Sequence, residues 1–289
     1  MHLLSKFIRR RMTRLFLLFT GIGYVMLVTL FVRFQERLIF PGSLYRGAPF
    51  TRFTPRTNDL LLQFSLGEDT LVGFWKPAEN PKLQTLTVLY FYGNGSCLAT
   101  TQDNAEVLHS LGVNVMMIDY PGYGMSSGKP SEVGTVSARN LALAYLQNVQ
   151  KIPSQRLIFM GSSLGGAVAI RAASENPCAG LITLCTFTSM GDMAAKTLPL
   201  LPFKNKLLRH PFDSLTHLEK VTCPVLLIHG TKDRMVSFSM RDTLAKKARE
   251  REGRRVETAT IEGAGHDGLL DRKKTIEAIR RFLVTVSSQ

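Results

Sequence analysis

Long apolar runs separated by helix-period segments make up most of the chain from position 85 onward. Thr85–Tyr92, Val113–Asp119, Arg156–Gly161, Gly180–Cys185 and Pro224–Gly230 are near-continuous apolar stretches, and Arg254–Ile261 is a weaker last one. Unbroken runs, as opposed to alternating ones, are expected of parallel strands buried on both faces. Between them the apolar positions recur with helical spacing over Gln102–Leu111, Glu132–Asn148, Leu164–Glu175, Phe238–Arg251 and Arg272–Val286. Strand and helix alternating in this way predict an α/β fold with right-handed crossovers and helices on both faces of an open, mostly parallel sheet. Ligands in such sheets bind beyond the carboxyl ends of the strands. Two shorter apolar segments, Leu61–Leu66 and Thr70–Trp75, precede the first strong strand.

The first residues follow a different pattern. Leu15–Val32 is an 18-residue stretch without a charge. With Phe34 and snorkelling flanks it comes close to the ~30 Å hydrocarbon thickness of a bilayer. It is longer than the roughly 7–15-residue core of a cleaved signal, and no A-x-A-like site follows it. The expectation is an uncleaved transmembrane helix over about residues 15–34, within an anchor segment 1–37. Five basic residues precede the span, against two arginines and one glutamate just after it, which predicts a cytoplasmic N-terminus and a domain across the membrane. A proline- and arginine-rich connector, 38–56, then leads to one domain over 57–289.

Composition narrows the function classes. With 45% hydrophobic residues the chain is not disordered, and four cysteines in 289 residues are too few for a disulfide scaffold. The net charge of +14 suggests nucleic acid until it is divided along the chain, since residues 1–37 alone carry +6. The basic run Lys246–Arg255 alternates with Glu250 and Glu252 and reads as a solvated helix face, with anionic lipid as the alternative. No nucleic-acid recognition motif or interleaved aromatics accompany the charge. Cys97, Cys178, Cys185 and Cys223 lack metal-ligand spacing, so neither a metal nor a cofactor is expected. A Cys178–Cys185 disulfide stays open for a domain outside the cytoplasm.

Chemistry gathers at the predicted strand ends. Gly161-Ser162-Ser163-Leu164-Gly165 is a G-x-S-x-G sequence between a strand and a helix, the setting in which a sharp turn lifts a serine hydroxyl above a sheet. A serine needs a positioned base, itself oriented by an acid, in the chain order Ser, Asp, His. Asp233, after the strand ending at Gly230, and His266, within Gly263-Ala264-Gly265-His266-Asp267-Gly268, meet that order. Asp192 is an alternative acid position, Asp267 points elsewhere as a direct neighbour of His266, and His229 reads as a packing or turn residue. For the oxyanion, the candidates are the backbone amides of Leu164 and of Asn94, in the loop Tyr92-Gly93-Asn94-Gly95-Ser96. Residues 187–222 leave room for a small lid, in which Leu198, Leu200, Leu201 and Phe203 could wall an acyl chain or simply pack. Asp213 is expected to cap a short helix.

Taken together, GSSLGG, HGTKD, GAGHDG and Asp119–Glu132 (DYPGYGMSSGKPSE) resemble the α/β-hydrolase superfamily. With LIFPGS after the anchor and CTFTSM after Leu184, the likeness is to its membrane-anchored branch of Bem-type proteins and protein depalmitoylases. It spans about Leu38 to Val286. The resemblance implies serine esterase or thioesterase chemistry on an acyl substrate through Ser163, Asp233 and His266. A peptidase on the same triad, or a silent membrane-tethered binding protein, are the alternatives. Tyr92 stands where the branch usually carries histidine, which marks it as a candidate influence on substrate choice. Asn94-Gly95-Ser96, the one N-x-S/T sequon, lies inside the oxyanion loop, so a glycosylating lumen is disfavoured and a bacterial periplasmic face, or a cytosolic face with reversed insertion, fits better.

Overall fold

The computed structural model describes residues 2–79, 85–197 and 204–288. Its first element is a single long helix, α1 (His2–Ile39). Strands β1 (Leu60–Leu66) and β2 (Asp69–Lys76) follow, and then β3 (Thr87–Phe91), α2 (Gln102–His109), β4 (Asn114–Ile118) and α3 (Glu132–Ala144). The central crossover runs through β5 (Leu157–Ser162), α4 (Leu164–Glu175) and β6 (Gly180–Leu184). The segment after β6 holds α5 (Met190–Thr197) and the short α6 (Lys204–Leu207). The last part comprises α7 (Ser214–Lys220), β7 (Val225–Gly230), α8 (Phe238–Arg249), β8 (Val256–Ile261) and α9 (Lys273–Ser287).

The strands form one eight-stranded sheet in the order β1-β2-β4-β3-β5-β6-β7-β8. β3 to β8 pair in parallel, and every residue of β3, β4, β6 and β7 is buried, as their unbroken apolar runs require. The two apolar segments before β3 form an antiparallel hairpin, closed at Gly67, whose φ of 62° suits glycine, and β2 joins β4 antiparallel. β1 alternates in exposure, as an edge strand with one wet face does. The chain order reverses between β3 and β5, and the crevice outside their carboxyl ends is the topological switch point where such sheets bind ligands.

Among the described residues α1 is the one helix long and apolar enough to cross a membrane. Its C-terminal turn is seated on the domain. Gln35 is fully buried, its amide donating to Leu207 O at 3.1 Å and its carbonyl accepting from Arg209 N at 2.8 Å. Phe40, also fully buried, packs its ring on His210 and Phe212 at 5.2 and 6.0 Å between centroids. The connector continues this packing through the buried Phe53, which meets Phe74 at 5.0 Å. Asp213 caps α7 by accepting from Thr216 N, as its position predicts.

All four cysteines are free thiols. The open Cys178–Cys185 pairing is not what the fold brings together: these residues flank opposite ends of β6, about 16 Å of extended chain. Cys178 faces Cys223 instead, with the sulfurs 3.3 Å apart at the starts of β6 and β7.

Candidate active site

Ser163 sits at the tip of the turn from β5 into α4, with φ 53° and ψ −117°. A non-glycine residue is held there only when its surroundings over-determine it. The surroundings do so through three bonds. The Ser163 amide donates to Leu184 O at 2.8 Å, and its carbonyl accepts from Gly166 N at 3.0 Å and Thr186 Oγ1 at 2.8 Å. The flanking glycines let strand and helix close on each other. A Cβ on Gly161 would lie 2.0 Å from Gly165 O, and one on Gly165 would lie 2.0 Å from Phe91 O.

Asp233 and His266 come from the loops after β7 and β8 and meet with His266 Nδ1 donating to Asp233 Oδ2 at 2.7 Å. The other carboxylate oxygen accepts from the amides of Met235 and Val236 at 2.8 and 2.9 Å. His229, read from sequence as a packing residue, places Nε2 3.2 Å from both Asp233 Oδ2 and Val236 O. Burial alone would push the Asp233 carboxyl up. The hydrogen bonds from His229 and His266, the charge of His266 and the Val236 amide outweigh it and hold the group well below the usual carboxylate range. Asp233 is therefore ionised throughout the neutral range and fixes the imidazole with Nδ1 protonated, leaving Nε2 as the acceptor.

Ser163 and His266 line one cavity of about 350 Å³ with the loop Gly93–Ser96, and Met235 closes one side. Asn94 and Leu164 line, with Ser163, an adjoining apolar groove. Neither of their amides is taken up by an acceptor among the described residues, and Leu164 opens α4, whose dipole adds to the positive field there. Asp267 lines the cavity without reaching His266. Asp192, the alternative acid, is turned away at the start of α5, where its Oδ2 accepts from Thr188 and Ser189 at 2.5 and 2.8 Å.

Tyr92, expected near the substrate, does not reach it. Its side chain is fully buried beneath the loop, donating to Asp119 Oδ1 at 2.8 Å and accepting from Tyr120 N at 3.0 Å. The Tyr120 hydroxyl donates to Tyr92 O at 3.0 Å, so the residue supports the loop from within. Its ring packs there against Tyr120 and Tyr123, at 4.7 and 6.2 Å between centroids. Of the lid residues, Leu198, Leu200, Leu201 and Phe203 lie outside the described residues. Cys185, Asp233 and His266 bring potential metal-binding atoms within 4.8 Å of one another. Burial pushes the Cys185 thiol up, and Asp233 and His266 are bonded to each other, so this chemistry favours a packed thiol over a cation site.

Sequence reading missed two supports of the loop Gly93–Ser96. Asn94 Nδ2 donates to Ile39 O at 2.9 Å, and Asn94 O accepts from Gly42 N at 3.0 Å and the Tyr123 hydroxyl at 2.9 Å. The end of α1 and the connector thus hold the loop directly. The same bond occupies the sequon's nitrogen in the folded chain. The second support is Asp119, fully buried. Its carboxyl is raised to about 7 by burial, against hydrogen bonds from Leu98 N, the Tyr92 hydroxyl and Met125 N. The native state binds a proton there between about pH 4 and 7 that the unfolded chain has released. Its contribution to stability is therefore full below pH 4 and falls by up to about 4 kcal/mol as pH rises through 7. Asp119→Asn is expected to flatten this slope, read as the unfolding midpoint in detergent at pH 5 and pH 8. A wild-type midpoint that rises across the window would overturn the assignment.

Known proteins resemble this chain in sequence and fold. Residues 84–216 match the model of the family Hydrolase_4, described as serine aminopeptidase, S33. The alpha/beta hydrolase domain-containing protein WAV2 of Arabidopsis thaliana is 33% identical over 255 residues, covering 80% of this chain and 82% of its own. Protein bem46 of Schizosaccharomyces pombe is 29% identical over 221 residues, 71% of each chain. The structure of the Pyrococcus furiosus esterase Pf2001 superposes with a TM-score of 0.66 at 19% identity, over 81% of this chain and 94% of that one, which shows a shared fold. Identity and coverage at the level of WAV2 mean common descent over nearly the whole domain: the chain belongs to the α/β-hydrolase family, in the branch that contains the Bem-type proteins.

Proposed function

We propose that the chain is a membrane-anchored serine hydrolase that cleaves acyl esters or thioesters. The observation that carries this reading is the strained Ser163 elbow sharing a cavity with the hydrogen-bonded pair His266–Asp233. His266 Nε2 takes the Ser163 proton as Oγ attacks the acyl carbonyl. Asp233 holds the tautomer and stabilises the imidazolium that forms. The amides of Leu164 and Asn94 receive the oxyanion. His266 then returns the proton to the leaving group, and water resolves the acyl-enzyme.

The anchor is residues 1–37, with the N-terminus cytoplasmic by its basic flank. The connector is 38–56, and the catalytic domain, 57–289, lies across the membrane with a lid over about 187–222. The apolar groove beside Ser163 favours an acyl substrate over the peptide that the matched family description would suggest.

A fluorophosphonate probe is expected to label the wild-type chain, and Ser163→Ala to abolish labelling and reduce hydrolysis of p-nitrophenyl esters by about 10⁴-fold or more. Equal labelling of the variant would reject Ser163 as nucleophile. Faster cleavage of aminoacyl arylamides than of acyl esters would move the assignment to a peptidase.

A further inference from the structure

Two cavities meet at Ser163, and they differ in chemistry. The groove, of about 420 Å³, runs from Ser163 and Leu164 beneath α5 and along the last turns of α1. Phe31, Leu38 and Ile39 form its outer wall, and Phe187, Met190 and Met193 its inner one. On α1 the lining positions Phe31, Gln35, Leu38 and Ile39 fall on one stripe of the helix. Gln35 does not make the wall polar, because its amide is spent on Val32 O, Leu207 O and Arg209 N. The other cavity is polar. Ser96, Thr101, Asn104 and Asp267 line it, and among the described residues no lysine or arginine does.

The groove is continuous with the anchor in a way that sets its depth. Phe31 belongs to the uncharged run Leu15–Val32, so the outer end of the groove lies where that run ends. Arg33 and Arg37, stacked on Phe34 at 5.8 and 5.4 Å, flank the headgroup level just above it. The inner end touches the nucleophile. The groove thus leads from the end of the uncharged run along α1 to Ser163. α5 is fixed over this path by Lys196, whose ammonium donates to Arg234 O and Met235 O at 3.0 and 2.9 Å. The Asn94–Ile39 bond ties the same helix end to the oxyanion loop.

We infer that the groove is an acyl-chain subsite with the membrane anchor as one wall, and that its substrate is a single-chain acyl ester of an uncharged polyol drawn from the bilayer. This rests on the serine-hydrolase reading above. One groove takes one chain. The polar cavity supplies hydroxyl and amide partners for a polyol, while Asp267, with no cation beside it among the described lining residues, disfavours a phosphate headgroup. Ser163 Oγ bonds to the acyl carbon, the carbon–oxygen bond to the polyol breaks, and His266 delivers the proton to the departing alkoxide. Water then releases the fatty acid and restores the serine, so one ester and one water give one acid and one polyol.

The test uses the full chain in nanodiscs with monoacylglycerols of 8 and 16 carbons, palmitoyl lysophosphatidylcholine and an S-palmitoyl peptide. Leu38→Trp and Met193→Trp, which fill the groove from opposite walls, are compared with Leu27→Trp, exposed on the same helix outside it. The expected result is preference for monopalmitoylglycerol and at least a tenfold fall in the 16-to-8-carbon ratio of kcat/KM in both groove variants. Leu27→Trp keeps the wild-type ratio. Fluorophosphonate labelling of each variant reports whether the fold and Ser163 remain competent. An unchanged ratio in labelled variants would overturn the subsite. Cleavage of the lysophospholipid or the S-palmitoyl peptide as fast as the glyceride would overturn the polyol assignment. A wild-type chain that the probe does not label would instead reject the underlying serine-hydrolase reading.

Discussion

Asp233→Asn is expected to lower kcat about 10⁴-fold, measured on a p-nitrophenyl ester with the full chain in detergent. The size follows from the four donors around this carboxylate. One oxygen accepts from Met235 N and Val236 N, and the other from His266, with His229 Nε2 3.2 Å away. An asparagine must point its NH2 at one of those pairs. Facing the two amides, it sets NH2 against two N–H donors and breaks both bonds, at a cost of about 1 kcal/mol. Facing His266, it forces Nδ1 to accept, which moves the proton to Nε2, the atom required to take the Ser163 proton. Either outcome removes the base or loosens the loop that holds it. Retention of wild-type kcat would show that the acid acts from another position.

Gly165→Ala is expected to destabilise the domain by about 3 kcal/mol or more and to abolish probe labelling, read from thermal unfolding in detergent. The added methyl would lie 2.0 Å from Phe91 O and 2.5 Å from Tyr92 O. Both are backbone atoms of β3 and its following loop, so no rotamer change relieves the contact. Relief requires α4 to lift from the sheet, which would release the turn that holds Ser163 at φ 53°. Gly93→Ala provides the contrast. Its methyl would meet Ser163 Cβ at 3.5 Å and Ser162 O at 3.7 Å, ordinary contacts, so that variant is expected to unfold near the wild-type midpoint.

Several features could be read from local pattern because local pattern causes them. Parallel strands buried on both faces leave unbroken apolar runs, and β3 to β7 lie within one or two residues of where those runs predict them. Gly161 and Gly165 mark the elbow because a close approach of strand and helix excludes any side chain there. His266 could be singled out from the six histidines by its loop position after the last strand, and it is the one that the fold brings to Asp233 Oδ2 at 2.7 Å. The hairpin of β1 and β2 was visible only as two apolar segments, since its pairing with β4 depends on a partner distant in the chain.

Tyr92 shows where such reading stops. Its neighbours in sequence belong to the candidate oxyanion loop, yet its side chain is buried with Asp119 and Tyr120. Sequence position conveys proximity to a site but not the side of the sheet on which a residue lands.

The sequence by itself determined the fold class, the long apolar N-terminal helix and the order of the candidate residues Ser163, Asp233 and His266, because secondary-structure periodicity, hydrophobic length and turn chemistry act over a few neighbouring residues. The tertiary structure alone decided that the end of α1 lies against the candidate site. Gln35 reaches Leu207 and Arg209, Ile39 receives Asn94, and Phe31 and Leu38 face Met190 and Met193 across the groove. These contacts join positions as many as 174 residues apart. They form only when the segment after β6 and the loop Gly93–Ser96 fold onto the end of α1, and no local pattern in the chain records that closure.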